Sequence, residues 1–141
     1  MENFSEYNED FFLFLEAGFI ALNQADEDSA VKLFKTCQLL QPENTLSEVA
    51  MGYMHIHKLE LKKAEDVLKK VLEKEPENEM AKTFLGITLS FSQKTLDEGE
   101  TLLKETAKEC SDEDIKKSAK VSLDFVDRFV KPASKKHPNQ Q

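Results

Sequence analysis

The chain has 141 residues, of which 33% are charged and 40% hydrophobic, and it contains only four glycines and four prolines. This length suffices for one compact domain with a sizeable core, and the composition is typical of a helix-rich protein with few loops. The net charge of −8 argues against a nucleic acid as partner, because nucleic-acid binders need a basic surface.

The beginning of the chain shows no targeting segment. Residues 1–10 lack a basic start followed by an apolar stretch, so we expect no secretory signal peptide. The most apolar run, residues 11–22, is interrupted by Glu16 and is shorter than the roughly 20 residues of a membrane span, so we expect no membrane insertion. Cys37 and Cys110 are far apart, and we interpret them as reduced, partly buried thiols of a cytoplasmic protein.

Three glycines set the period of the chain, because Gly18, Gly52 and Gly86 stand 34 residues apart. A fixed period of this length is typical of helical repeat arrays. Glycine inside a helix costs about 1 kcal/mol relative to alanine, so three glycines at one phase predict close contact between paired helices. Other residues keep the same interval, namely Ala30 with Ala64 and Pro42 with Pro76.

This period predicts an N-terminal extension over residues 1–10 and then a domain over residues 11–130. Each repeat of the domain is a helix-turn-helix unit, in which the first helix carries the glycine and the second begins with a small residue. The prolines end the first two units, since proline cannot continue a helix. The three repeats are residues 11–44, 45–78 and 79–111.

The third repeat departs from the period, and a further helix follows it. Gly99 lies one residue late, which an inserted residue in the turn over residues 93–96 would explain. Ser111 with Asp114 is a capping signal, and it predicts a last helix over residues 112–130. We expect this helix to cover the final repeat with a polar outer face. The polar residues 131–141 are predicted to be a disordered tail.

These intervals resemble the tetratricopeptide repeat, whose second helix carries an alanine and then an aromatic residue before a closing proline. Matches in the first repeat are Gly18, Ala30, Phe34, Cys37 and Pro42, whereas the signature tryptophan is missing throughout. The resemblance implies an all-α fold. Three tetratricopeptide helix-turn-helix repeats would form a right-handed solenoid, and a C-terminal capping helix would follow them.

In the tetratricopeptide family the first helix of each repeat lines a concave groove. The resemblance places a largely apolar set of residues there, spaced by three and four so that each helix presents one stripe. An apolar patch of that size marks an interaction site, most naturally for an amphipathic helix. The groove residues are Phe12, Leu15, Phe19, Leu22, Leu46, Val49, Tyr53, Ile56, Met80, Thr83, Ile87 and Phe91.

Other readings of these residues stay open. The N-terminal segment, with Phe4 and Tyr7, could cover the groove, a second copy of the chain could fill it, or several of the residues could be core. Residues for chemistry are scarce: there is no glycine-rich phosphate loop, no Cys-x-x-Cys pair and no HExxH. His55 and His57 are two apart and face different ways on a helix. We therefore expect no enzymatic activity, no metal and no cofactor.

A small acidic chain with three repeats and an apolar groove is similar to the tetratricopeptide chaperones of bacterial type III secretion, and among these to the chaperones of the needle subunit. This resemblance implies a bacterial cytoplasmic chaperone that binds an amphipathic helix of a small secreted protein, as needle-subunit chaperones do, and prevents its polymerisation. It also implies a second, small co-chaperone. The alternatives are a self-associating tetratricopeptide scaffold and a general protein-interaction adaptor.

Overall fold

The computed structural model describes residues 4–132, with the side chains of residues 9–132. All regular elements in this part of the chain are helical, which confirms the expected all-α class. The helices are α1 (Phe4–Asn23), α2 (Glu27–Leu40), α3 (Leu46–His57), α4 (Leu61–Lys74), α5 (Glu79–Ser90), α6 (Leu96–Glu109) and α7 (Glu113–Phe125), and a π-helix (Val126–Val130) continues α7.

The helical region extends beyond the predicted domain at both ends. Helix α1 begins at Phe4, so it includes most of the segment predicted as an N-terminal extension. At the other end, Lys131 and Pro132 are still helical, although the tail was predicted to begin at Lys131. The rest of that predicted tail, residues 133–141, lies outside the described residues, as do residues 1–3.

The chain forms two compact units, Met1–Val67 and Leu68–Gln141, and α4 contributes residues to both. In the first unit α1 packs along α2, and α3 packs against both. The core of this unit is built from large side chains, among them Phe11, Phe34 and Met54. In the second unit α5 packs along α6, and α7 packs on both of these helices.

Close approach between α1 and α2 depends on Gly18. A Cβ atom built at this position would overlap the ring of Phe34, which is completely buried. The ring therefore occupies the space that any other residue at position 18 would need for its side chain. This confirms the prediction that the glycine permits close helix packing.

In the second unit, two glycines permit the close approach of α5 and α6. A Cβ at Gly86 would lie 2.9 Å from Cγ of Leu103 on α6. One at Gly99 would lie 2.7 Å from the carbonyl oxygen of Gly86 and 2.8 Å from the amide nitrogen of Ser90. Here the backbones of α5 and α6 come into contact, so neither helix has room for a side chain at the crossing.

Two turns repeat the 34-residue period in their backbone conformation. Ala25, after α1, has φ 60° and Leu59, after α3, has φ 57°. The next amide in each turn donates to a carbonyl five residues earlier, Asp26 to Ala21 at 2.8 Å and Glu60 to His55 at 2.9 Å. This is the Schellman arrangement, in which a left-handed residue ends the helix.

The α5–α6 turn has no residue with positive φ, and α6 starts late. Helix α4 begins at Leu61, 34 residues after α2 begins at Glu27, whereas α6 begins at Leu96, 35 residues after α4. The hydroxyl of Thr95 donates to the carbonyl of Leu89 at 2.7 Å and closes this longer turn. One extra residue in the turn accounts for the late position of Gly99.

The beginning of α7 differs from the predicted capping signal. The Asp112 carboxylate accepts hydrogen bonds from the amides of Asp114 at 2.9 Å and Ile115 at 3.1 Å, so Asp112 caps the helix. The assignment of Ser111 as the cap was wrong. Ser111 instead donates its amide to the carboxylate of Glu79, at 3.1 Å.

Candidate partner-binding surface

The twelve predicted groove residues differ in how much of their surface the chain itself covers. A side chain that is already covered offers no contact area to a partner in this conformation. Phe12 and Phe91 are exposed, and six of the residues are half-buried: Phe19, Leu46, Tyr53, Ile56, Met80 and Ile87. Four are buried and take part in packing: Leu15, Leu22, Val49 and Thr83.

Aromatic rings from α1 and α3 meet at the surface of the first unit. The ring of Phe19 lies 5.8 Å from that of Tyr53, and Tyr53 lies 4.7 Å from the imidazole of His57. On its other side Phe19 contacts the buried ring of Phe34, at 5.3 Å. The structure therefore brings together two residues, Phe19 and Tyr53, that stand at equivalent positions of the first two predicted repeats.

Helix α1 also exposes apolar residues that the groove prediction did not include. Leu13 and Ile20 are 62% and 52% exposed, comparable with the predicted Phe12 at 55%. Glu16 lies between them along the helix and is exposed as well. Residues 11–22 are apolar almost all the way round, so the sequence indicated two apolar faces without showing which of them would be covered.

The second unit contains an apolar cavity of about 300 Å³. Its walls combine two predicted groove residues on α5, Ile87 and Phe91, with residues that were not predicted as a site. Because the lining is almost entirely apolar, an apolar group is the natural occupant. The added residues are Leu103 from α6, Val121, Ser122 and Phe125 from α7, and Val126 and Val130 from the π-helix, with Ser90 completing the wall.

One polar cluster in the second unit holds α5 to the α6–α7 turn. The Glu79 carboxylate accepts hydrogen bonds from the Cys110 thiol at 3.0 Å and the Ser111 amide at 3.1 Å. These two bonds lower the pKa of Glu79. Burial, together with the Glu79 carboxylate, raises the pKa of Cys110. A thiol with a raised pKa is a poor nucleophile, so the cluster is suited to a structural link rather than to catalysis.

His55 and His57 contribute to pairing and packing. Nδ1 of His55 lies 2.7 Å from Oε2 of Glu60, which lowers the pKa of that carboxyl group. The imidazole of His57 packs edge-to-face with the ring of Tyr53. No group of three or more residues suited to metal binding occurs within the described part of the chain. Across residues 4–132, none of the helices has both the length and the apolar character of a membrane span.

Each unit therefore has its own candidate functional surface, that of α1 and α3 in the first unit and that of α5 and α7 in the second. Comparisons of this chain with protein-family models, with curated proteins and with solved structures found no match.

Proposed function

We propose that this protein is a non-enzymatic chaperone or adaptor of the tetratricopeptide type, and that its apolar surface binds an amphipathic helix of a partner. The observation that carries this proposal is the contact between Phe19 and Tyr53. Two aromatic rings from different helices lie 5.8 Å apart, and both residues are only half-buried. Tyrosine at the centre of an apolar patch is a common anchor for a partner.

Packing within each unit supports the tetratricopeptide part of the proposal. Gly18 faces Phe34 in the first unit, and Gly86 faces Leu103 in the second. Each pair joins the glycine of a predicted first helix to the large residue of the second helix. Two turns with left-handed residues 34 residues apart, at Ala25 and Leu59, add a backbone signature of the same period.

The spacing of the exposed residues favours a helix as partner. Phe12 and Phe19 lie seven residues apart on α1, which is two helical turns, and Tyr53 adds a contact from α3. A partner helix with apolar residues at i, i+3 or i+4 and i+7 could contact all three. Since the chain carries a net charge of −8, a basic polar face on that helix would speed and orient its association.

The proposed mechanism follows from mass action. Binding the apolar face of a self-assembling client lowers the concentration of that face in the unbound state and so slows polymerisation. A needle-subunit-like protein of a type III secretion system is the client we propose, with a small co-chaperone as a second partner. The protein would act in the bacterial cytoplasm, without a cofactor or a metal.

Native purification tests the proposal directly. The intact assembly would be isolated from its own cells under mild conditions and weighed by native mass spectrometry, before and after dissociation. We expect a small helical protein in a one-to-one ratio with this chain. Recovery of the chain alone, at every salt concentration that preserves its helicity, would contradict the chaperone proposal and favour the self-associating scaffold.

The variant Tyr53→Asp tests the location of the surface. Loss of a central aromatic anchor costs roughly 2 kcal/mol, so we expect client affinity to fall by about 30-fold while circular dichroism stays unchanged. Leu39→Asp is the matched control, because Leu39 is an exposed apolar residue of α2 in the same unit. If Tyr53→Asp instead lowers helicity, Tyr53 belongs to the core and the binding surface lies elsewhere.

A further inference from the structure

The outer face of α7 carries an apolar stripe among its charged residues, although a polar outer face was expected for a capping helix. Val121 is 62% exposed, Phe125 46% and Phe129 61%, in steps of four residues. Large apolar residues at this spacing form one continuous stripe along a helix. A terminal helix that serves only as a cover would be expected to place charged residues on this side.

The π-helix at the end of α7 keeps this stripe straight. The amide of Lys131 donates to the carbonyl of Val126, five residues earlier, so this turn is wider than an α-helical one. As a result Phe129 lies directly beyond Phe125, with their ring centroids 5.2 Å apart.

A charged link holds the end of the π-helix in place. Nζ of Lys131 lies 2.7 Å from a carboxylate oxygen of Asp127 and 2.7 Å from one of Glu100 on α6. These two carboxylates raise the pKa of Lys131, so the link keeps its charge at neutral pH. This link ties the end of the helix that carries the stripe to α6, and a helix end that is already held loses less entropy on association.

We propose that the α7 stripe is the interface of a homodimer, in which α7 of a second copy lies antiparallel about a two-fold axis at Phe125. The spacing supports this occupant, because Val121 and Phe129 lie four residues before and after Phe125. A two-fold axis therefore places Phe125 against Phe125 of the second copy and Val121 against its Phe129. An isologous interface requires this self-complementarity, whereas a foreign helix has no need of it.

Charges beside the stripe also favour a second copy. Asp124 and Arg128 flank Phe125 on the same side and now pair with each other, with Nε to Oδ1 at 2.9 Å. Antiparallel helices bring equal flanks together, so Arg128 comes within reach of Asp124 in the second copy, and Asp124 within reach of its Arg128. The other flank carries the small neutral residues Ser118 and Ser122, which permit close approach. Because Asp124 is next to Phe125, the two Asp124 carboxylates also approach each other near the axis, and the Arg128 of each copy lies beside them and offsets their repulsion.

The apolar cavity extends this interface. Val121 and Phe125 belong both to the stripe and to the wall of the cavity of about 300 Å³, together with Phe91. A second helix laid on the stripe covers these residues and removes the apolar lining from water. The dimer surface lies on α7, whereas the proposed client contacts lie on α1 and α3, so either proposal can fail without the other.

Sedimentation equilibrium of the full chain between about 1 and 100 μM is the first test. We expect the mass to rise towards that of a dimer. Phe125→Asp should weaken the dimer at least 10-fold, whereas Leu39→Asp should leave it unchanged. Because the aspartate variant could misfold, Phe125→Ala is a second test. At the helicity of wild type, it should also dimerise more weakly than wild type. A chain that stays monomeric throughout this range, or a dimer that Phe125→Asp leaves intact, overturns the proposal.

Charge reversal tests the antiparallel geometry. Alone, Arg128→Asp and Asp124→Arg each place like charges across the axis, so each should dimerise more weakly than wild type. An equimolar mixture of the two should recover dimerisation, because each chain then meets the opposite charge in its partner. Neither variant regains its internal pair in the mixture, so recovery reports only on contacts between chains. Failure of the mixture to recover contradicts the antiparallel arrangement.

Engineered cysteines give a second readout of the same geometry. On oxidation, Phe125→Cys should form a disulfide-linked dimer. A mixture of Val121→Cys and Phe129→Cys should link across the two chains, whereas either variant alone should not. Efficient linkage of Val121→Cys with itself would contradict the proposed axis. The native thiols of Cys37 and Cys110 are buried and should contribute little background.

Discussion

The two units solve one packing problem, the close approach of two paired helices, in different ways. In the first unit a single glycine, Gly18, faces the ring of Phe34, so a side chain fills the space between the helices. In the second unit Gly86 and Gly99 lie on opposite helices, and the backbones themselves meet. Gly18 therefore borders a side chain, which can be shortened, whereas Gly99 borders a backbone, which cannot.

The interiors of the two units also differ in the side chains that they bury. Large side chains such as Phe11, Phe34 and Met54 fill the first. In the second, short hydroxyl residues are buried on the helices, and each donates to the carbonyl one turn earlier, as Thr88 does to Phe84 at 2.7 Å and Ser90 to Gly86 at 2.7 Å. Because these hydroxyls are satisfied within their own helix, the second unit can bury them at little cost.

Removing a fully buried ring should have the largest effect. We expect Phe34→Ala to lower the free energy of unfolding by about 3–5 kcal/mol, because the ring is fully buried and the glycine beside it cannot fill the cavity. Urea unfolding followed by circular dichroism would measure this. Leu39→Ala, at an exposed site of the same helix, should change stability by less than about 0.5 kcal/mol. A loss below about 2 kcal/mol for Phe34→Ala would show that the unit can collapse around the gap.

Adding a methyl group where the paired helices cross, at Gly18 in the first unit and at Gly99 in the second, tests the difference between the two units. Gly99→Ala and Gly18→Ala should each cost about 1–3 kcal/mol through overpacking. Phe34→Leu should relieve much of the cost of Gly18→Ala, giving a coupling energy of about 1 kcal/mol in a double-mutant cycle.

No shortened side chain should rescue Gly99→Ala to the same degree, because its new methyl group meets backbone atoms of Gly86 and Ser90. Ser90→Ala combined with Gly99→Ala is the matching cycle in the second unit, because the Ser90 hydroxyl oxygen lies 2.8 Å from a Cβ built at Gly99. Equal rescue in both units would show that the distinction between side-chain and backbone contacts has no energetic consequence.

Acid should weaken the second unit through Glu79. The hydrogen bonds from Cys110 and Ser111 hold the pKa of this carboxyl group below its ordinary value of 4.5. Its contribution to stability is therefore complete above about pH 4.5 and is lost as the pH falls through the lowered pKa. Unfolding titrations between pH 6 and pH 3 should show a smaller loss of stability in Glu79→Gln than in wild type. Glu77→Gln, at an exposed neighbour, should behave as wild type does.

The smallest expected effect concerns the turns. Ala25 holds a positive φ that costs an L residue about 1 kcal/mol, and glycine adopts this conformation without strain. We expect Ala25→Gly to stabilise the chain by about 0.5 kcal/mol, since part of the gain is offset by the greater entropy of the unfolded state. Gln93→Gly, in the turn without a positive φ, should bring no gain. Thermal unfolding of both variants would decide this.

The 34-residue period predicted the all-α class, because glycine, alanine and proline recur at an interval typical of helical repeats. It also predicted the contact between Gly18 and the second helix, since a glycine inside a helix is costly without a packing reason. The start of α1 at Phe4 was missed because residues 4–10 carry no glycine or alanine mark. Asp112 was missed as a cap because Ser111, one residue earlier, fits the same signal.

The candidate surface was less predictable than the fold. Periodicity shows which residues share a stripe, but it does not show which stripe a neighbouring helix covers. Leu15 and Val49 were therefore assigned to a groove although both are buried, and Leu13 was left out although it is exposed. The same ambiguity concealed the outer stripe of α7, a helix for which a polar outer face was expected.

The two buried cysteines can report how often each unit opens. Cys37 is fully buried in the first unit, with Sγ 3.5 Å from the carbonyl oxygen of Phe11, and Cys110 lies in the second, against Glu79. Burial raises the pKa of both thiols, so neither should react quickly while its unit is closed. Labelling kinetics at these two positions would therefore measure how often each unit opens, in the unmodified protein and without any introduced probe.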